Sequence, residues 1–384
     1  MDKEQKTKLI QLGLFIVTLI TTTLAGAEWM FSKYLVIGMT WSDFVAGFSF
    51  SIPFLGILTV HEFGHYFTAR YHQIKVSLPY YIPLWFGFML SPSLGTMGAF
   101  IRIREHIDSR LKYFDVGVSG PIAGFVIALG VLYYGFSNLP PQDYIYEIHP
   151  EYEQYQSVDE AINASEGIVI HLGGNLLFDF FKTQVADPEL LPHENELMHY
   201  PWLLAGYLAL FFTALNLLPI GQLDGGHVLF GLFGPKKHAI ISRVLFTGFV
   251  FYAGLGWVGI DDLQDKSWGS LGDFLLSIGM YLVVVYFAAY SVFKEKKDRL
   301  LYATILLTVQ FLLNAFTGWE GYQGWLLFSV LIGRFLGVDH PPVSEDKELS
   351  LERKIIGWIA LVIFIICFSP QPLVLEIPAI QQIP

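Results

Sequence analysis

Thr59-Val60-His61-Glu62-Phe63-Gly64-His65-Tyr66 places two imidazoles and a carboxylate inside an otherwise apolar segment. Ionisable groups are expensive in hydrocarbon, and inside a membrane segment they mark a functional site by default. On a helix, positions i and i+4 share a face, so His61 and His65 can each turn a ring nitrogen toward one ion, with Glu62 beside them. Read on its residues alone, the stretch is an apolar helix carrying part of a metal site.

Composition gives that helix its setting. The chain has 384 residues, 53% of them hydrophobic and only 15% charged, and its mean hydropathy is +0.49. Soluble domains carry about 25% charged residues. The expectation is an all-α polytopic membrane protein embedded in a lipid bilayer. The net charge of −11 says little about partners, because charge in such a chain is sorted by membrane side; nothing points to a nucleic-acid partner. Cys367 is the single cysteine, so no intramolecular disulfide forms and the redox compartment stays open.

In chain order, Leu9 to Ile20 continues through Thr21-Thr22-Thr23 toward Ala25-Gly26-Ala27. This reads as a retained first helix or as a signal peptide with a small-x-small cleavage form, the retained helix being preferred. The second span runs from about Phe44 to Arg70, with HEFGH in its last third, roughly 20 Å below an outer boundary near Gly47 and nearer the cytoplasmic face. Residues 76–112 hold Pro79, Pro83, Pro92, Gly95 and Gly98, which would break a helix repeatedly. Their β-like runs, Trp85 to Leu90 and Met97 to Arg104, suggest a hairpin at the membrane edge, covered by protein or facing water. Phe114 to Phe136 is the third span, where Gly120 and Gly124 permit close helix packing.

Residues 138–200 carry twelve acidic residues against Lys182 alone, which suits an outer loop. Within it, Ile168 to Phe181 reads as one apolar segment too short to span. Pro201 to Ile220 is the fourth span, and five more follow at about 241–260, 271–293, 300–316, 322–338 and 355–369. Nine transmembrane helices put the N-terminus inside and the C-terminus outside. That arrangement leaves only Lys33, Lys182 and Lys266 outside, so 20 of the 23 basic residues fall on the cytoplasmic side, as the positive-inside rule requires.

A catalytic metal site of this type keeps three protein ligands and one open position. Asp224, at the cytoplasmic end of the fourth span, reaches a comparable depth to His61 and His65, with His227 as a competing ligand. Pro219, Gly221, Gly225 and Gly226 surround Asp224; a helix broken there exposes backbone that lipid cannot satisfy, so it should line a wet cavity. Asn216, about two turns upstream, can donate to an oxyanion or a substrate carbonyl, or can satisfy broken-helix backbone. The remaining histidines read as solvated loop residues.

HEFGH, the Gly120-Pro121-x-Ala123-Gly124 span, Pro92 to Ala99, and Asn216-x-x-Pro219-x-x-x-Leu223-Asp224-Gly225-Gly226 together resemble the site-2 protease family of intramembrane zinc metalloproteases, especially its cyanobacterial and plastid type. The resemblance covers residues 44–230 firmly. It implies His61, His65 and Asp224 as Zn2+ ligands, Glu62 as general base and Asn216 as an orienting or oxyanion group. It also implies single-span membrane proteins as substrates and a multi-pass location, expected to be a bacterial plasma membrane. Three regions follow: an N-terminal helix or signal-like segment at 1–43, a catalytic core at 44–233 and C-terminal helices at 234–384. No PDZ pattern appears in 138–200, and the oligomeric state stays open. The rival readings are a transporter or channel with a buried ion site, for which no internal repeat is found, and an inactive membrane-binding homologue.

Overall fold

A computed structural model describes residues 2–164, 169–259 and 268–376. Lys266, Ile168 and the end of the expected 241–260 span lie outside the described residues. The helices are α1 (Lys3–Phe31), α2 (Trp41–Ala46), α3 (Phe48–Tyr71), α4 (Arg110–Ser137), α5 (Tyr144–Ile148), α6 (Val158–Ala164), α7 (Leu176–Gln184), α8 (Pro201–Leu217), α9 (Asp224–Gly254), α10 (Trp268–Ala288), α11 (Lys296–Thr317), α12 (Trp325–Val330) and α13 (Leu351–Cys367). Four short strands, β1 (Tyr80–Leu84), β2 (Gly95–Phe100), β3 (Val169–Leu172) and β4 (Leu373–Glu376), form two antiparallel pairs, β1 with β2 and β3 with β4.

Five helical stretches among the described residues are long and apolar enough to cross a membrane: Glu4–Phe31, Trp41–Tyr71, Arg110–Ser137, Leu271–Ser291 and Lys296–Thr317. Pro201–Leu217 and Trp325–Leu336 are apolar but shorter. The expected nine transmembrane helices are therefore not confirmed among the described residues. A hydropathy run measures apolar length, not helix length. At 1.5 Å per residue the 17 residues of α8 cover about 25 Å, short of a ~30 Å hydrocarbon core. The expected 322–338 span is α12 followed by a π-helical stretch, Leu331–Leu336.

The fourth span also ends earlier than expected. The helix stops at Leu217, two residues before Pro219, which has no N–H to continue it. The chain turns through Gly221 at φ 60° and Asp224 opens the next helix rather than closing the last. α9 then runs on to Gly254 through a break at Gly234, φ 74° and ψ 175°, directly before Pro235.

The chain forms two compact units. The first comprises Met1–His106, Ser119–Asn216 and Val362–Pro384; the second comprises Ile107–Val118 and Leu217–Leu361. In the first, α1 packs against α3 and the β1–β2 hairpin. Thr23 and Ser51 hydroxyls meet at 2.8 Å, the Thr21 hydroxyl donates to the Gly95 carbonyl at 2.7 Å, and Trp85 Nε1 donates to Glu28 Oε1 at 2.8 Å. Between membrane helices such bonds average about 0.6 kcal/mol each, so packing of Phe50, Phe54 and Leu55, all buried, supplies the rest. The hairpin is present, but its first strand is Tyr80–Leu84, earlier than the Trp85–Leu90 run, which instead contains a 3₁₀ turn at Gly87–Met89. Pro83 is accommodated because the register slips between Tyr81 and Pro83, and a proline is tolerated at a bulge.

Residues 169–181 are likewise not one apolar segment. β3 pairs with β4 near the C-terminal end of the described chain, and α7 follows its N-cap Asn175, whose Oδ1 accepts from the Phe178 N–H at 2.9 Å. That N-cap supplies the first-turn acceptor that starts a new helix.

In the second unit α10 packs on α11, and α12 on α9. Buried Gln310 of α11 donates to the Phe251 carbonyl of α9 at 2.7 Å and accepts from the Tyr281 hydroxyl of α10. Leu275, Leu276, Val283, Leu301 and Ile305 are exposed on α10 and α11, an apolar surface that suits lipid.

Candidate active site

His61, Glu62 and His65 are all buried, at 7%, 5% and 7% exposure, on one stretch of α3. The His61 and His65 Nε2 atoms lie 3.1 Å apart with their rings near perpendicular, at 76°. Two ring nitrogens turned to one point at that separation match the edge of a tetrahedral zinc site, where ligand atoms about 2.0–2.1 Å from the ion sit roughly 3.3 Å apart.

What gives the imidazoles room is the third span. A Cβ on Gly120 would stand 2.2 Å from His65 Nε2, and one on Gly124 would stand 3.1 Å from His61 Cβ. Gly120 leaves no room for a side chain, whereas a methyl at Gly124 would require His61 to give by a few tenths of an ångström. The Ser119 hydroxyl adds a bond to the Gly64 carbonyl at 3.1 Å. Thr59, two residues before His61, bonds Tyr81 of β1 at 2.8 Å and so ties the hairpin to the helix.

A cavity of about 120 Å³ opens beside this pair, lined by His61, Glu62, Met97, Gly98, Thr213 and Asn216 among others. Its walls come from α3, the β2 strand and α8. Asn216 therefore shares a cavity with His61 and Glu62, one residue before α8 ends. The structure thus brings His61, Glu62, His65 and Asn216 into one neighbourhood within the first unit.

Asp224 belongs to the second unit, where it is the first residue of α9. A Cβ on Gly117 of α4 would meet the Asp224 carbonyl oxygen at 3.3 Å and His227 Cβ at 2.6 Å, so the head of α9 packs closely on the start of α4. His227, the competing ligand, has its Nδ1 2.8 Å from His340 Nε2 and stacks on Tyr113 at 5.0 Å.

Not all remaining histidines are the solvated loop residues expected. His149 is half-buried and His199 buried, and they converge with buried Glu196. The Glu196-x-x-His199 spacing was a usable signal, since i and i+3 share a helical face; His149, 47 residues before Glu196, offered none.

A long apolar helix bearing HExxH, packed on a glycine-lined helix and opening on a small cavity, is the arrangement of a candidate metal site. The chain belongs to peptidase family M50, whose family model matches residues 49–255, more than half of its length. The resemblance to site-2 proteases is thereby borne out. A rice (Oryza sativa subsp. indica) protein named "Probable zinc metalloprotease EGY2, chloroplastic" is 30% identical over 188 residues, 49% of this chain and 30% of that protein. An Arabidopsis thaliana protein named "Probable zinc metalloprotease EGY1, chloroplastic" is 29% identical over 194 residues, 50% of this chain and 30% of that protein. The chain thus spans less than a third of the length of these curated relatives. No solved structure matches it.

Proposed function

We propose that this chain is a zinc metalloprotease that hydrolyses peptide bonds in or near the transmembrane segments of single-span membrane proteins. The observation that carries the reading is the 3.1 Å approach of the His61 and His65 Nε2 atoms on a buried helix face, beside a cavity shared by Glu62 and Asn216. His61 and His65 would hold the ion; Asp224 is assigned as third ligand from the sequence pattern and the family. The donor set of two imidazoles and a carboxylate suits zinc.

Zinc, when bound, supplies Lewis acidity toward water and a peptide carbonyl. Glu62 accepts the proton of the attacking water and later returns it to the leaving amine. Asn216, on the facing wall, donates to the substrate carbonyl oxygen as charge develops on it. A substrate helix hides its carbonyls in its own hydrogen bonds, so it must open locally before attack. The edge of β2 at Met97–Ala99, which lines the same cavity, would hold the opened segment by strand addition.

The membrane is of the bacterial or plastid type; the relatives carry chloroplastic names and lend no support to a bacterial plasma membrane in particular. The acidic 138–200 loop is placed outside and HEFGH nearer the cytoplasmic or stromal side. No observation favours the transporter reading.

The test is zinc analysis of the purified protein together with cleavage of a panel of single-span substrates, with Glu62→Gln as control. Retained zinc with lost cleavage is the expected result. Equal cleavage by both forms would overturn the proposal.

A further inference from the structure

We propose that His149, Glu196 and His199 form a second divalent transition-metal site, of zinc type, separate from HEFGH and holding the acidic loop together. One ligand atom from each lies within 4.8 Å of the other two. His149 Nε2 and His199 Nε2 are 3.3 Å apart, His199 Nε2 is 3.3 Å from Glu196 Oε2, and His149 Nε2 is 3.7 Å from the same oxygen. Ligands about 2.0–2.2 Å from a tetrahedral ion stand roughly 3.3–3.6 Å from one another, so the triangle has the dimensions of one face of such a site.

The outer hydrogen bonds decide what those three atoms present. His199 Nδ1 faces the Met30 carbonyl at 2.9 Å, and His149 Nδ1 faces Glu151 Oε1 at 2.9 Å. Both partners are acceptors, so in the neutral rings both protons sit on Nδ1 and both Nε2 atoms turn lone pairs inward. Tyr152 donates its hydroxyl to Glu196 Oε1 at 3.0 Å, leaving Oε2, which is buried and accepts no hydrogen bond. Three lone-pair donors therefore converge with no proton between them. Second partners that fix each imidazole tautomer and hold the carboxylate are the usual supports of a metal ligand set.

The three residues line a cavity of about 440 Å³, and Glu28, whose Oε2 is buried without a hydrogen-bond partner, lines it too. A cavity of this volume has room for a hydrated ion. Imidazole and carboxylate together favour zinc or a neighbouring first-row metal over calcium or magnesium. An ion here joins the segment after α5, the turn before α8 and, through His199, the end of α1.

The experiment uses the full chain in detergent, loaded with zinc chloride, desalted and analysed for zinc by mass spectrometry. His61→Ala/His65→Ala protein is expected to retain one zinc per chain. Adding His149→Gln and Glu196→Gln should remove it and abolish the zinc-induced rise in Tm. Because His149 is half-buried, His149→Gln alone tests the site with least disturbance to packing and should weaken zinc binding at least tenfold, as measured by competition with a chromogenic chelator. A His61→Ala/His65→Ala protein without zinc would overturn the site. Unchanged zinc affinity in His149→Gln would overturn it as well. Neither readout depends on proteolysis, so it can fail while the proposed protease activity stands.

Discussion

Gly120 of α4 lies so close to His65 of α3 that a Cβ on the glycine would stand 2.2 Å from the imidazole Nε2. Gly120→Ala should therefore push that ring off its present position. Loss of ligand placement typically costs 10–100-fold in metal affinity, and about that fall in zinc affinity is expected, with cleavage falling at least as far. Gly124→Ala, whose methyl would meet His61 Cβ at 3.1 Å, should cost only a fewfold. Zinc titration of the two variants checks the order; equal affinities would show that the glycines do not set the ring positions.

Asn216 lines the cavity with His61 and Glu62. If its amide stabilises developing oxyanion charge, Asn216→Ala should lower kcat by about 10²–10³ with little change in KM. Bound zinc should stay at the wild-type level. A purely structural role would instead show as a lowered Tm with kcat preserved.

Met97 lies on β2 between the paired residues Thr96 and Ala99, is 60% exposed and lines the same cavity. Met97→Pro removes a backbone donor there without deleting any residue of the register. Strand addition predicts a raised KM and slower cleavage of helical substrates with zinc unchanged. Kinetics identical to wild type would leave the hairpin as packing alone.

Gln310 bonds the Phe251 carbonyl and accepts from Tyr281, so one side chain links α9, α10 and α11. Gln310→Leu keeps the volume but leaves the buried Tyr281 hydroxyl without its acceptor. Polar contacts between membrane helices reach about 1.7 kcal/mol, and for a chain of this size the expected fall in Tm is about 1–2 °C. Thermal unfolding in detergent measures it.

Chelation should stop cleavage, and added zinc should restore it. Prolonged chelation should also lower the Tm of the His61→Ala/His65→Ala protein, which retains only the proposed second ion, and differential scanning of that variant with and without chelator makes the comparison.

HEFGH was legible because its geometry is local: a four-residue step on a helix places both imidazoles on one face whatever surrounds them. The hairpin was legible from Pro79, Pro83 and Pro92, though its first strand was placed too late because Pro83 sits at a register slip rather than ending the strand. The 138–200 loop was recognised from its acidity, but the pairing of β3 with β4 joins residues about 200 positions apart, and no local pattern encodes that.

By itself the sequence determined a multi-helix membrane protein with a histidine pair at metal-ligand spacing in an early span and a helix weakened around Asp224, since apolar length, i to i+4 spacing and proline act within a few residues. Only the tertiary structure decided which apolar runs are long helices, that Gly120 and Gly124 make room for the HEFGH imidazoles, that Asn216 shares their cavity, and that His149 meets Glu196 and His199. Each of those depends on which segments pack together, and side-chain volume and hydrogen-bond satisfaction across distant parts of the chain settle that. HEFGH thus needs α4 to give its rings space and α8 to complete its cavity.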